Sequence, residues 1–240
     1  LLAVSANVLN QIFEISTDSL MERTANRPLV TGEISKKNAY IYSISLGLFG
    51  YLILYTQSTT LAANIALSAN IFYSFIYTLI LKPRTNQNIV IGGAAGAAPV
   101  LIGWSATGAE LEIGSWLLFL LVFLWTPAHF WALSLENIDD YKDADFPMLP
   151  TQESKKRTAI FIGVYSCATV ITSILLAPIL QLGITYLVLA LLFGIYLMYK
   201  SYGLYVDKVK PISYFIFSNT YLAIIFLSMV ADIFITLGSI

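Results

Sequence analysis

Asn10, Glu14 and Asp18 stand four residues apart, and Arg23 and Arg27 follow in Met21-Glu22-Arg23-Thr24-Ala25-Asn26-Arg27-Pro28-Leu29. On a helix that spacing aligns the three polar side chains along one stripe, with Ser16 pointing elsewhere. A second acidic group comprises Glu136, Asp139, Asp140, Asp143 and Asp145, and Asp139 and Asp143 again stand four apart. Carboxylate oxygens are the ligands Mg²⁺ prefers, and that ion completes its octahedron with water and substrate phosphates. Two such groups facing each other have the composition to hold Mg²⁺ over a diphosphate. Arg23, Arg27, Lys82, Arg84 and the run Lys155-Lys156-Arg157 supply the matching cations. Guanidinium forks suit phosphate oxygens, and lysine adds point charge. The competing readings are a solvated helix end for the first acidic group, and topology or anionic-headgroup contacts for the cations.

The elements that must position these residues are membrane helices. The 240 residues are 58% hydrophobic and 11% charged, with a mean hydropathy of +0.76. A soluble domain is roughly half apolar and about a quarter charged. A net charge of −1 excludes a nucleic-acid partner, which needs a basic face. The lone cysteine, Cys167, rules out an internal disulfide framework and reads as a helix-packing residue. A membrane helix needs about 20 largely apolar residues. That rule predicts a partial span at 1–17 and full spans near 39–56, 61–81, 89–107, 114–135, 158–177, 184–205 and 212–237. The expected fold is therefore an all-α polytopic bundle of about eight spans forming a single domain, 1–240. The apolar opening, Leu1 to Leu9, has no basic flank and no Ala-x-Ala cleavage site. It reads as the second half of a membrane helix whose beginning is missing, not as a signal peptide.

All 13 basic residues fall in or beside every second connection: at 23–37, 82–84, 142–157 and 200–210. The connections near 57–60, 107–113 and 178–183 contain none. By the positive-inside rule the basic connections face the cytoplasm or its equivalent, which places both acidic groups on one membrane face. Ionisable groups inside a span are costly and mark function more often than not. The small residues from Gly92 to Ala98 permit close helix approach or leave room for a ligand. Pro99 and Pro127 fall inside predicted spans. Among the 14 Phe, 15 Tyr and four Trp, rings such as Tyr73, Tyr77 and Trp125 could stabilise a cation left when diphosphate departs, although most rings must face lipid.

The stripe Asn10-x-x-x-Glu14-x-x-x-Asp18 with Met21-x-Arg23-Thr24-x-x-Arg27-Pro28-Leu29 resembles the first signature of the UbiA superfamily of membrane prenyltransferases. Three segments are similar to the branch that farnesylates haem. They are Asn10 to Gly32, Tyr77 to Trp104 with Leu81-Lys82-Pro83-Arg84-Thr85-Asn86, and Trp125 to Pro150. The last holds Trp125-Thr126-Pro127-Ala128-His129-Phe130-Trp131-Ala132-Leu133, Asp139-Asp140-Tyr141 and Pro147-Met148-Leu149-Pro150. The chain departs from many bacterial members at Glu14 and Ser16, where those have Asp, and at Glu136-Asn137, where basic residues are expected.

The resemblance implies a bundle lacking the first family helix and part of the second. It implies transfer of farnesyl from farnesyl diphosphate to a vinyl group of haem b, giving haem O for terminal oxidases. It assigns Asn10, Glu14, Asp18, Asp139, Asp140 and Asp143 to catalysis, with Mg²⁺ on Glu14, Asp18, Asp140 and Asp143. Diphosphate falls to Arg23, Arg27, Lys82 and Arg84, and the acceptor to His129, Trp125 and Tyr141. His129 reads as an axial haem ligand, a propionate contact or a hydrogen-bonded packing residue at the mouth of the site. Implied partners are the bilayer and haem A synthase or oxidase assembly factors, in a bacterial plasma membrane or a mitochondrial inner membrane. The alternatives are a prenyltransferase acting on an aromatic quinone precursor and a membrane transporter.

Overall fold

A computed structural model describes the backbone of residues 1–238 and the side chains of residues 1–235. Every regular element among these residues is helical: α1 (Leu2–Phe13), α2 (Ile15–Asp18), α3 (Pro28–Thr31), α4 (Lys36–Gln57), α5 (Thr60–Leu81), α6 (Asn88–Ala106), α7 (Ile113–Glu136), α8 (Ile138–Asp143), α9 (Leu149–Gln152), α10 (Lys155–Ile179), α11 (Ile184–Tyr205) and α12 (Pro211–Gly238). Seven of them, α4 to α7 and α10 to α12, are long and apolar enough to cross a membrane, and α1 is a shorter apolar helix. The predicted spans agree with these bounds to within a few residues. Polar caps set several starts: Ser35, Thr59 and Ser154 each accept a backbone N–H from their own first turn.

The chain divides into two compact units. The first, residues 1–111 with 137–152, contains α1 to α6, α8 and α9. Here α1 runs parallel to α5, since Asn70 reaches the Leu2 carbonyl, Asn10 reaches Thr78 and Glu14 reaches Lys82, all at a constant offset of 68 residues. Close approach depends on missing side chains. A Cβ on Gly92 of α6 would overlap the Tyr77 ring of α5. The expected close helix approach is therefore realised at Gly92.

The second half of α5, Phe72–Leu81, is wound as a π-helix. Its wider turns show in Thr78 Oγ1 donating to the Tyr73 carbonyl and Lys82 N–H donating to the Tyr77 carbonyl, both five residues back and both at 2.8 Å. Such segments are rare and concentrate at functional sites.

The second unit, residues 112–136 with 153–240, contains α7 and α10 to α12. Buried Tyr214 and Tyr221 pair with Ser166 and Ser173, each at 2.7 Å, so α10 and α12 are parallel at an offset of 48. In lipid such interhelical hydrogen bonds act as adhesive where the hydrophobic effect does not. Asp232 is a buried acid that accepts the Gly183 N–H at 2.6 Å, placing a carboxylate at the N-terminus of α11. Cys167 departs from expectation: it is exposed on α10 instead of lying between helices.

Candidate active site

The polar stripe survives a break in its helix. Helix α1 stops at Glu14, whose φ and ψ of −102° and 11° leave the helical region, so the continuous helix expected through Asp18 is not formed. The four-residue ladder nevertheless continues, with Glu14 N–H on the Asn10 carbonyl and Asp18 N–H on the Glu14 carbonyl. Asn10, Glu14 and Asp18 are all buried, at 8%, 6% and 4% exposure, which a solvated helix end would not require. Each has a definite partner. Asn10 Nδ2 donates to Thr78 Oγ1 at 3.2 Å. Lys82 Nζ donates to both oxygens of Glu14, at 2.6 and 2.7 Å. Arg27 donates to Asp18 Oδ2 at 2.6 Å.

Local folding puts the two cations there. Thr24 Oγ1 donates to the Asp18 carbonyl at 2.8 Å, and Arg27 N–H donates to the Thr24 carbonyl. Residues 19–27 therefore turn back and bring the guanidinium to the acid. The π-helical turns carry Lys82 onto Glu14. Lys82 also lies 4.5 Å from the centre of the Phe146 ring. Asn88 is wholly buried, and its Nδ2 reaches the Thr85 carbonyl at 2.7 Å and the Pro147 carbonyl at 3.4 Å. These contacts set the segment bearing the second acidic group beside Lys82, within one unit.

The remaining expected residues divide. Asp139 and Asp143 are exposed on α8, Asp140 is half-buried and Tyr141 is buried. Among the described residues no three acids, histidines or cysteines converge as a ready-made metal cage. Arg23 is exposed. Arg84 turns onto the Leu79 and Ile80 carbonyls at the end of α5. His129 and Trp125 lie in the other unit, with His129 stacked between Trp125 and Phe215. Glu136 accepts the Ile212 N–H at 3.1 Å and so caps α12. In the basic run, Lys155 pairs with Asp207 at 2.5 Å and Arg157 with Glu153 at 3.2 Å. Thr24 stood in the signature without a role, while Thr78, Asn88 and Phe146 escaped the sequence reading. Of these three only Thr78 leaves a trace there, standing four residues before Lys82 as Asn10 stands before Glu14.

Chemically the arrangement is an apolar pair of helices ending in two neutralised carboxylates, with stacked Tyr73 and Tyr77 rings 5.3 Å apart on α5. It offers hard oxygen donors, paired cations and aromatic rings.

Comparison with known proteins fits this chemistry. The model of the UbiA prenyltransferase family matches residues 1–230. A Thermus thermophilus protein named protoheme IX farnesyltransferase is 41% identical over 234 residues, which is 97% of this chain and 38% of that protein. One of the same name from Trichormus variabilis is 41% identical over 236 residues, covering 97% of this chain and 74% of that protein. The chain thus spans well under half of the Thermus relative. Among solved structures, a digeranylgeranylglyceryl phosphate synthase superposes with a TM-score of 0.78 at 24% identity, covering 96% of this chain and 81% of that one. A UbiA homologue from Archaeoglobus fulgidus bound to GPP and Mg²⁺ superposes with a TM-score of 0.64 at 20% identity, covering 94% and 82%. Both share the all-helical fold.

Proposed function

Because this chain belongs to the UbiA prenyltransferase family, we propose that it transfers the farnesyl group of farnesyl diphosphate to a vinyl carbon of haem b, forming haem O. The observation that carries this reading is the buried pair of acid–cation contacts, Glu14 with Lys82 and Asp18 with Arg27, at the end of an apolar, aromatic-lined helix pair. The choice of haem as acceptor rests on the relatives named for that reaction.

Lys82 and Arg27 keep two carboxylates neutralised inside the protein, where unpaired charge would be costly. On arrival of substrate the same cations, with Arg23 and Arg84, turn to the diphosphate oxygens. There they stabilise negative charge that grows as the C–O bond breaks. Asn10, held by Thr78, orients the deep end of the stripe. Tyr73 and Tyr77 present ring faces toward developing allylic cation. The vinyl π electrons form the new C–C bond, diphosphate leaves with the electrons of the broken bond, and water adds to the haem-stabilised cation and loses a proton.

Glu14, Asp18, Asp140 and Asp143 fit a hard divalent ion: they offer only oxygen donors, two of them are buried, and all four belong to one unit. They would hold Mg²⁺, which when bound supplies Lewis-acid charge at the diphosphate. Asp139 lies on the same short helix and would act with them. The Archaeoglobus homologue bound to GPP and Mg²⁺ supports a need for that ion. The family match runs through both units, which supports a single prenyltransferase domain.

The chain is a multi-pass membrane protein. We place its basic connections, and with them the site, at the cytoplasmic face of a plasma membrane or the matrix face of a mitochondrial inner membrane. Haem A synthase and oxidase assembly factors are the partners that would take haem O onward.

The test is to give membranes carrying the chain farnesyl diphosphate, Mg²⁺, haem b and 4-hydroxybenzoate together, and to weigh the products. A farnesylated, hydroxylated haem is expected. Prenylated 4-hydroxybenzoate alone would move the assignment to a quinone precursor. An ion flux without any prenylated product would move it to a transporter.

A further inference from the structure

The second unit holds a polar cluster that the diphosphate chemistry does not use. The His129 ring on α7 lies between Trp125 and Phe215, each centroid 4.2 Å away and nearly parallel at 21° and 22°. Phe130 meets it edge-on at 5.2 Å. His129 Nδ1 is 2.7 Å from Ser218 Oγ. Ser218 Oγ is also 2.8 Å from the Phe215 carbonyl, which can take its one hydroxyl proton. That arrangement leaves the Ser218 oxygen to accept from the imidazole, with the proton on Nδ1 and the lone pair on Nε2.

The same serine is held at its backbone, because Trp125 Nε1 donates to the Ser218 carbonyl at 2.9 Å. Rings on both faces oppose the flip that would exchange the two nitrogens. Besides Ser218, the ring is hydrogen-bonded to the Phe215 carbonyl. Nε2 is not among the fully sealed, unpartnered polar atoms, which are Ser74 Oγ, Asn88 Oδ1, Trp131 Nε1 and Thr158 Oγ1, and His129 keeps a residual exposure of 5%. A histidine serving packing alone would leave a basic lone pair unused in an apolar span.

Resting on the haem reading above, we propose that His129 Nε2 ligates the iron of haem b and that Ser218 is the positioning residue that makes this nitrogen the ligand. A metal-binding imidazole characteristically gives its other N–H to a fixed acceptor, which sets tautomer and ring orientation. Ser218 supplies that acceptor, and the Trp125–Phe215 sandwich sets the plane.

The test uses the purified chain in detergent, titrated with ferrous haem b. Absorption and resonance Raman spectra report the iron–nitrogen bond, and farnesylation is assayed on the same sample. The wild type is expected to show histidine-ligated iron. His129→Phe, which keeps a flat ring in the stack, should lose that signature and regain a nitrogen ligand when imidazole is added. Ser218→Ala should weaken haem binding by about tenfold, the low end of the cost of removing such a partner, with the KM for farnesyl diphosphate unchanged. If His129→Phe keeps the ligated-iron spectrum while still binding and farnesylating haem, the ligation is overturned and the haem reading stands. If Ser218→Ala binds haem like the wild type, the positioning role is overturned. If the wild type neither binds nor farnesylates haem yet prenylates 4-hydroxybenzoate, both fall together.

Discussion

Replacing Lys82 by Met should cost more stability than any surface change, and the loss should be largely reversed by a second substitution. Lys82 Nζ contacts both Glu14 oxygens, with only 16% of the lysine side chain and 8% of the glutamate side chain exposed. Removing one partner of such a buried pair leaves an uncompensated charge, at about 3–5 kcal/mol. In a chain of this length each kcal/mol moves Tm by about 2–4 °C, so Lys82→Met should melt about 6–20 °C below wild type. Loss of the contact with Phe146 adds about 0.5–1 kcal/mol. Lys82→Met with Glu14→Gln removes the stranded charge as well and should recover most of the deficit, a coupling of about 2–3 kcal/mol. Thermal unfolding of the wild type, both single variants and the double variant in one detergent, followed by tryptophan fluorescence, closes the cycle. If Lys82→Met melts within about 2 °C of wild type, or the double variant is no more stable than Lys82→Met, the pair is not a closed buried contact. The reasoning about the stripe would then be wrong.

Asp18→Asn should fold, retaining its helical circular dichroism, while haem farnesylation falls about 10²- to 10³-fold, the usual loss when charge stabilisation at a transition state is removed. Gly92→Ala would drive a methyl group into the Tyr77 ring and should cost about 1–3 kcal/mol; Tyr77→Leu in the same background should restore most of the lost Tm. Lys155 holds the Asp207 carboxyl below its usual range through a hydrogen bond and its charge. Any contribution is therefore present above the ordinary carboxylate range and lost as pH falls below it. Because Asp207 is exposed, salt should screen the effect, and Asp207→Asn should melt with the wild type at high salt.

The spans were legible because each needs one long apolar run, and the interruptions by basic loops counted them independently. The polar residues of the stripe were legible because Asn10, Glu14 and Asp18 stand where a membrane helix gains nothing from them. Less visible was the π-helical winding of 72–81, for which the composition Phe-Tyr-Ser-Phe-Ile-Tyr-Thr-Leu-Ile-Leu reads as an ordinary span. Thr78 and Lys82 meet Asn10 and Glu14 within and just beyond that winding, and partner choice lay in backbone geometry, not residue type. The break at Glu14 was hidden for the same reason. Asp232 and Glu136 show the opposite limit: both are acids in suggestive places, and both cap helix N-termini. Ser218 left no mark at all, being one serine among many on apolar helices.

The most direct measurement follows a radiolabelled farnesyl group from farnesyl diphosphate into haem b in membranes carrying the wild-type chain, Glu14→Gln or Asp18→Asn, each with Mg²⁺ or with EDTA. If the buried stripe handles the diphosphate, labelled haem forms only in the wild type with Mg²⁺, and both variants and the chelated sample fall to background. Label entering haem at the wild-type rate in both variants would contradict the account, because the reaction would then be proceeding without the residues on which it rests.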